Sequence, residues 1–172
     1  MSLFITEYPS FFTATILQWR ALLKEDAYKE IVISSLKYLV DKKRINLYSF
    51  VIMDNHLHLI WQMLAGKNPS DIQRDFLKFT GQEFKRKLQV SDPQFLDLFL
   101  VNAIDRKYQF WRREPMSIEL RNSKVFNQKL DYIHWNPVKA GMCALPEEYH
   151  YSSALFYHTG IDNWRFLTHA NG

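Results

Sequence analysis

Two histidines separated by one residue are the sharpest chemical feature of the sequence. His56 and His58 stand within the apolar segment NHLHLI, residues 55–60. In a strand alternate side chains share a face, so both imidazoles project together and Leu57 projects to the other side. Because imidazole is the commonest protein ligand for metals, the pair could chelate one divalent cation. The alternative is two partly buried histidines with structural hydrogen bonds.

A tyrosine lies in the second informative segment, DYIHWNPVKAG, residues 131–141. On a helix Tyr132 and Asn136 are four residues apart and share a face. The phenol could attack phosphorus, and the Asn136 carboxamide oxygen could serve as a hard ligand to a cation. The alternatives are a packing tyrosine and an asparagine that caps a new turn before Pro137. The sequence lacks the H-E-x-x-H and C-x-x-C signatures of common zinc sites.

The elements that must position these residues follow from hydrophobic periodicity and turn chemistry. Pro137 disfavours continuation of the third helix through Asn136, so a break or a new turn is expected there. The resulting order, β-α-β-β-α-β followed by a helix, predicts an α+β, ferredoxin-like split βαβ fold with an antiparallel sheet. Its helices would cover one face and leave the other available. The predicted strands are 11–18, 44–53, 56–63 and 107–112, and the predicted helices are 26–40, 69–88 and 122–135.

Length and composition favour one globular unit. The chain has 172 residues, of which 47% are hydrophobic and 16% aromatic, so disorder is excluded. We expect a single domain over residues 1–160 and a C-terminal tail over 161–172. A formal charge of +4 suits a polyanionic partner. No segment has the composition of a signal peptide or a membrane span, so the expectation is a soluble, cytoplasmic protein without a membrane partner.

Basic residues beside aromatic residues are candidates for nucleic-acid contact. Arg112 and Arg113 follow Trp111 directly, and Lys129 and Lys139 lie near the tyrosine. Cations and stacking aromatic rings together suit single-stranded or hairpin DNA. The alternative for Trp111 is a place in the core.

Taken together and in this order, HLHLI and YIHWNPVKAG resemble the single-tyrosine HUH transposases, specifically the REP-associated tyrosine transposases. Their His-apolar-His motif is matched by His56 and His58, and their nucleophilic tyrosine, in a Y-I-H-x-N-P setting, is matched by Tyr132. Their third, polar metal ligand falls on Asn136. Segments 108–112 and 146–154 are also similar, whereas REPM at 113–116 departs from the R-G-Y-Y of many relatives.

The resemblance implies a DNA transposase that cleaves and rejoins single-stranded, hairpin-associated DNA. It would work through a 5′-phosphotyrosine on Tyr132 and a divalent metal, Mg²⁺ or Mn²⁺. Relatives include homodimers, which complete each site with the partner's helix, and proteins that work within one chain, and the sequence leaves this choice open. Two other functions stay open as well. One is a hairpin-binding protein of the same fold without catalysis, and the other is a metal-dependent hydrolase of small phosphate esters.

Overall fold

Nine helices and strands are laid out along the parts of the chain that the structure, a computed structural model, describes. These parts are residues 7–64 and 68–171. Short 3₁₀ turns follow the first strand and precede the last helix. In chain order the elements are β1 (Ser10–Thr15), α1 (Asp26–Asp41), β2 (Ile45–Ile52), β3 (His56–Met63), α2 (Pro69–Ser91), α3 (Pro93–Asp97), β4 (Met116–Glu119), α4 (Ser123–Lys139) and α5 (Ala154–Thr159).

The four strands form one antiparallel sheet in the order β2-β3-β1-β4. β2 and β3 are a hairpin, and β3 inserts between β2 and β1, so the first βαβ unit is split. In the β1–β3 register Thr13 lies opposite His58 and Thr15 lies opposite His56. The α+β, ferredoxin-like topology predicted from the element order is therefore confirmed.

One face of the sheet is covered by α1 and α2. Alternate strand residues point to this side, so Phe12 of β1 and Leu57 and Trp61 of β3 enter the main core with Val32 of α1 and Phe76 of α2. These side chains are almost fully buried. The main core thus holds the strands in register behind the two histidines.

The opposite face is partly covered by α4, and not left free of helices as the sequence suggested. Phe11 of β1, Val51 of β2 and Ile60 of β3 form a second, smaller core with Ile133 of α4. The helix presents a stripe of apolar residues at helical spacing, which also includes Phe126. The remaining part of this face carries the histidine pair.

The predicted fourth strand at 107–112 is wrong. This segment forms isolated bridges only, one of which joins Trp111 to Ile16. Phe110 and Trp111 are buried against α2 residues, which explains the apolar pattern that suggested a strand. The fourth strand of the sheet is instead β4, which pairs with the other edge of β1 and whose four residues are all exposed. An exposed edge strand leaves no burial pattern in the sequence.

The first strand ends at Thr15, earlier than the predicted Gln18. Gln18 and Trp19 both adopt positive φ angles, 56° and 52°, which no strand residue can have. Helix α1 and strands β2 and β3 match their predicted positions closely. Among the described residues no helix is long and apolar enough to cross a membrane.

The expected break at Pro137 is also wrong, because α4 continues through it to Lys139. Pro137 lies in the last turn, where a missing N–H removes only one helical hydrogen bond, and its ring is buried. The Ala140 N–H still donates to the Asn136 carbonyl at 3.0 Å. Helix packing therefore outweighs the local preference.

Residues after 160, which the sequence set apart as a tail, pack onto the sheet domain. The Thr168 N–H donates to the Leu47 carbonyl at 2.8 Å. Phe166 is buried, and its ring lies 5.8 Å from that of Phe50. The described part of this segment therefore shares the main core with the rest of the chain.

Candidate functional site

Strand β3 carries both histidines on the face that α4 partly covers. The ring centroids of His56 and His58 are 4.9 Å apart, while Leu57 and Leu59 point into the main core. His58 is 4% exposed, and His56 is half-buried. The predicted common direction of the two imidazoles is thus present in the structure.

Each imidazole is held through its Nδ1 atom. Nδ1 of His58 lies 2.7 Å from Thr13 Oγ1, and Nδ1 of His56 lies 2.7 Å from Asn55 Oδ1. The Asn55 amide also donates from Nδ2 to the Trp19 carbonyl at 3.3 Å, which turns Oδ1 toward His56. Since Oδ1 can only accept, His56 donates its Nδ1 proton, and its Nε2 lone pair is left for another partner.

The remaining nitrogen of His58 suits a metal. Its Nε2 is buried, and within residues 7–64 and 68–171 no protein group hydrogen-bonds to it. Burial, the neighbouring His56 and the Lys129 ammonium lower the pKa of His58 to about 3. Burial also lowers the pKa of His56, against an opposing effect of Asp54. Both rings are therefore neutral at pH 7, the form in which imidazole binds metals.

Tyr132 of the same chain stands over this pair. Its ring centroid is 5.2 Å from that of His58 and 5.9 Å from that of Phe11, and the side chain is 43% exposed. Its hydroxyl hydrogen-bonds to no residue in the part of the chain that the structure describes. The phenol is thus packed at the site through its ring while its oxygen is left for other contacts.

A polar stripe runs along α4 beside its apolar stripe. Lys129, Tyr132, Asn136 and Lys139 are spaced three and four residues apart, so they lie along one side of the helix. The Lys129 ammonium lies 4.7 Å from the Phe11 ring centroid and 5.6 Å from that of Tyr132. Asn136 is half-buried and Lys139 is exposed. The stripe places the Lys129 ammonium directly at the site, and it places Lys139 about 10 Å from Tyr132 along the helix.

His134 lies two residues after Tyr132, on another side of α4, and has a structural role. Its Nε2 lies 2.8 Å from Ser153 Oγ and 3.4 Å from Ser49 Oγ, in a buried polar cluster. Burial lowers its pKa to about 4. This neutral imidazole ties α4 to β2 and to the start of α5.

A basic groove of about 830 Å³ lies between α2 and segment 105–115. Arg74 and Arg106 form ion pairs with neighbouring aspartates. The remaining cations face the groove without a carboxylate in ion-pair contact among the described residues, and Asp105 and Glu114 are its only acidic lining. We call this surface the α2 groove; its cations are Arg74, Lys78, Lys85, Arg106, Lys107, Arg112 and Arg113.

The residues predicted from the sequence to contact DNA lie in different environments in the structure. Arg112 and Arg113 are exposed at the α2 groove, and the Arg112 guanidinium lies 4.4 Å from the Trp19 ring centroid. Trp111 is 6% exposed, and its indole N–H donates to Thr80 Oγ1 at 2.9 Å. The expectation that Trp111 stacks on DNA is therefore corrected to its alternative, a core residue.

Four residues at or beside the site were not found from the sequence: Phe11, Thr13, Asn55 and Trp19. Phe11 stacks on His58 with ring centroids 5.3 Å apart. Thr13 and Phe11 come from β1, and only the strand register could reveal them. Asn55 directly precedes His56, and an amide next to a candidate ligand histidine is itself a signal for a supporting hydrogen bond.

Fold and site together define a ferredoxin-like chain that presents paired histidines beside a helical tyrosine. No protein-family model matches the chain. A protein described as a REP-associated tyrosine transposase of Haemophilus influenzae is 30% identical over 105 residues, which make up 59% of this chain and 54% of that protein. The chain therefore spans about half the length of the curated relative it matches.

A solved structure of a REP-associated tyrosine transposase bound to a REP hairpin has the same fold. It matches with a TM-score of 0.64 at 18% identity, over 98% of this chain and 92% of that one. The sequence comparison thus confirms the resemblance to REP-associated tyrosine transposases that the two motifs indicated, and the structural comparison confirms the fold.

Proposed function

We propose that this protein is a metal-dependent tyrosine transposase, which cleaves and rejoins single-stranded DNA next to a hairpin. The observation that carries the proposal is the position of Tyr132. Its ring lies 5.2 Å from the ring of His58, whose buried Nε2 has no hydrogen-bond partner among the described residues. A nucleophile and a candidate metal ligand therefore meet within one chain, and a homodimer is not needed to bring them together.

His56, His58 and Asn136 are the residues that would hold the metal. The first two offer Nε2 atoms on neutral rings, and Asn136 offers a carboxamide oxygen from the same side of α4 as Tyr132. When bound, Mg²⁺ or Mn²⁺ would polarise the scissile phosphate and stabilise charge on its oxygens. Because two imidazoles are softer ligands than Mg²⁺ prefers, the ligand set by itself favours Mn²⁺ or Zn²⁺ over Mg²⁺.

Tyr132 would act as the nucleophile. Its hydroxyl oxygen forms a bond to phosphorus, its proton passes to solvent, and the bond from phosphorus to the 3′ oxygen breaks. The 3′ oxygen takes up a proton, which leaves a 5′-phosphotyrosine and a free 3′-hydroxyl. A second 3′-hydroxyl can reverse these steps and rejoin the strands without ATP. Lys129, beside the tyrosine ring, adds positive charge for the phosphate.

The α2 groove supports a DNA substrate. Its seven cations face two carboxylates, Asp105 and Glu114, and such an excess suits the phosphates of a hairpin stem. The groove reaches Arg112, whose N–H donates to the Thr15 carbonyl at 2.8 Å, and Thr15 lies opposite His56 in the sheet. The basic surface thus continues toward the histidine pair. We assign Arg112, Arg113, Lys129 and Lys139 to DNA contact.

The proposal is tested by whether a covalent adduct forms between the protein and DNA. We expect the protein, incubated with labelled hairpin DNA that has single-stranded flanks and with Mn²⁺, to give a band that resists denaturation. Tyr132→Phe should abolish this band, since it removes the attacking oxygen and keeps the ring contacts to His58 and Phe11. Tyr38→Phe is the matched control, because Tyr38 is similarly exposed but lies on α1.

The outcomes separate the alternatives. A band that persists in Tyr132→Phe moves the chemistry to another residue and refutes the proposal. Hairpin binding without any band in the wild-type protein would instead support a non-catalytic hairpin-binding protein. Release of phosphate from small esters without an adduct would support a hydrolase that uses water.

A further inference from the structure

An exposed tryptophan stands beside the histidine pair without a role in the core. Trp19 is 61% exposed, and the Arg112 guanidinium lies 4.4 Å from its ring centroid. No other ring contacts Trp19 within the described residues. One face of the indole is thus covered by a cation, and much of the remaining surface is open to solvent. An indole offers a large apolar face and a polar N–H edge, which suits it to contact with an aromatic ligand.

The backbone holds Trp19 in this position firmly. Gln18 and Trp19 adopt left-handed φ angles of 56° and 52°, which non-glycine residues rarely do. The Trp19 N–H donates to the Ile16 carbonyl at 2.9 Å, and the Trp19 carbonyl accepts from Asn55 Nδ2 at 3.3 Å. Such strained backbone persists only where neighbouring structure fixes it, and it often occurs at functional sites.

The distance of Trp19 and Arg112 from the histidine pair follows from the strand pairing in the sheet. The Arg112 N–H is bonded to the Thr15 carbonyl, and Thr15 pairs with His56. Arg112 is therefore two strand spacings, about 10 Å, from His56 along the end of the sheet. Asn55 links the same two regions directly, since one carboxamide bonds both His56 and the Trp19 backbone. About three stacked nucleotides would span this distance.

We infer that Trp19 and Arg112 form a stacking site for one unpaired base of the DNA strand that flanks the scissile phosphate. The base lies on the open surface of the indole, and the Arg112 guanidinium stabilises the stack from the other face and attracts the backbone. The inference rests on the proposed function. The α2 groove mainly offers cations for phosphates, and the ring of its half-buried Tyr108 already lies under Lys85 and Lys107.

The test measures hairpin binding by fluorescence anisotropy in EDTA, so that cleavage plays no part. One DNA is a blunt hairpin, and the other carries a single-stranded flank in which an abasic site is moved one position at a time. Trp19→Ala should weaken binding of the flanked hairpin by roughly 5- to 150-fold and leave the blunt hairpin unchanged. Trp19→Phe, which keeps an aromatic face, should restore most of the affinity.

The abasic series identifies the base. In the wild-type protein one flank position should be sensitive to base removal, and in Trp19→Ala this sensitivity should disappear. Arg112→Ala should lower the slope of the logarithm of the binding constant against the logarithm of salt concentration by the amount that about one phosphate contact contributes. Trp19→Ala should leave this slope unchanged. Tyr38→Ala is the matched control, because Tyr38 is also an aromatic residue with an arginine beside its ring: Arg44 lies 5.8 Å from the Tyr38 ring centroid. This pair lies near the strand end where Ile45 pairs with Met63, away from the histidine pair.

Equal affinity of Trp19→Ala and the wild-type protein for the flanked hairpin would overturn the inference. So would a wild-type abasic series without a sensitive position. Neither result depends on the adduct assay, so failure of the stacking site is distinguishable from failure of the proposed chemistry. Unchanged Mn²⁺ affinity in Trp19→Ala would verify that the His56 setting is intact, because Asn55 bonds only the backbone of residue 19.

Discussion

Mn²⁺ should stabilise the folded protein through His56 and His58. The buried Nε2 of His58 has no hydrogen-bond partner among residues 7–64 and 68–171, so a metal at this atom adds an interaction to the folded chain, where both rings are already held in place. A ligand at a hundredfold excess over its Kd contributes about 2.7 kcal/mol. For a chain of this size each kcal/mol raises Tm by about 2–4 °C. The expected increase is therefore roughly 5–11 °C.

The assay is thermal unfolding followed by circular dichroism, with Mn²⁺ and with EDTA. His56→Ala and the double variant His56→Ala/His58→Ala should lose the increase. His158→Ala is the control, since the His158 side chain is 63% exposed. At pH 6 the His58 ring should still be free to bind, because its pKa of about 3 keeps it neutral there. An undiminished increase in the double variant would refute the assignment, since Mn²⁺ would then bind elsewhere.

The remaining predictions concern the surroundings of the site. Asn55→Ala should weaken Mn²⁺ binding about 10- to 100-fold in a calorimetric titration, because the bond that orients His56 is lost; unchanged affinity would contradict this role. Burial lowers the pKa of His134 to about 4, so its contribution to stability is complete above its unfolded pKa of about 6.5 and is lost as pH falls toward 4. Between these two pH values, urea unfolding should show that His134 lowers the free energy of unfolding by about 1.4 kcal/mol for each pH unit of acidification. In His134→Gln the dependence of the free energy of unfolding on pH should be less steep by that amount. Lys78→Ala and Lys85→Ala in the α2 groove should each lower the slope of the logarithm of the hairpin-binding constant against the logarithm of salt concentration by about 0.9. A slope equal to that of the wild-type protein would exclude the lysine from phosphate contact.

Some of the support for the candidate metal site comes from residues that carry no motif of their own. Thr13 and Asn55 each bond the Nδ1 atom of one histidine and so direct Nε2 toward a ligand. Phe11 stacks on His58 and contacts Tyr132 edge-on, which keeps water from that side of the pair. Such outer contacts orient the ligands and raise their basicity. Phe11 and Thr13 belong to β1, Asn55 directly precedes β3, and the pairing of these two strands brings them together.

The sequence by itself determined the fold class and the direction of the two histidines. The strands and helices that bury a regular apolar face, such as α1 and β3, follow from periods of 3.6 and 2 residues. Because the period of a strand is two, His56 and His58 had to share a face. The spacing of Tyr132 and Asn136 likewise placed both on one side of a helix.

Tertiary structure decided what periodicity does not encode. Burial of Phe110 and Trp111 under α2 produced an apolar segment without a strand, while the exposed β4 had no pattern to detect. Packing of α4 on the sheet carried the helix through Pro137, against its local preference. The same packing brought Tyr132 to His58, across 74 residues of sequence, and the β1–β3 register brought Thr13 to His58. These contacts depend on how separate elements meet, and spacing along one chain segment cannot specify that.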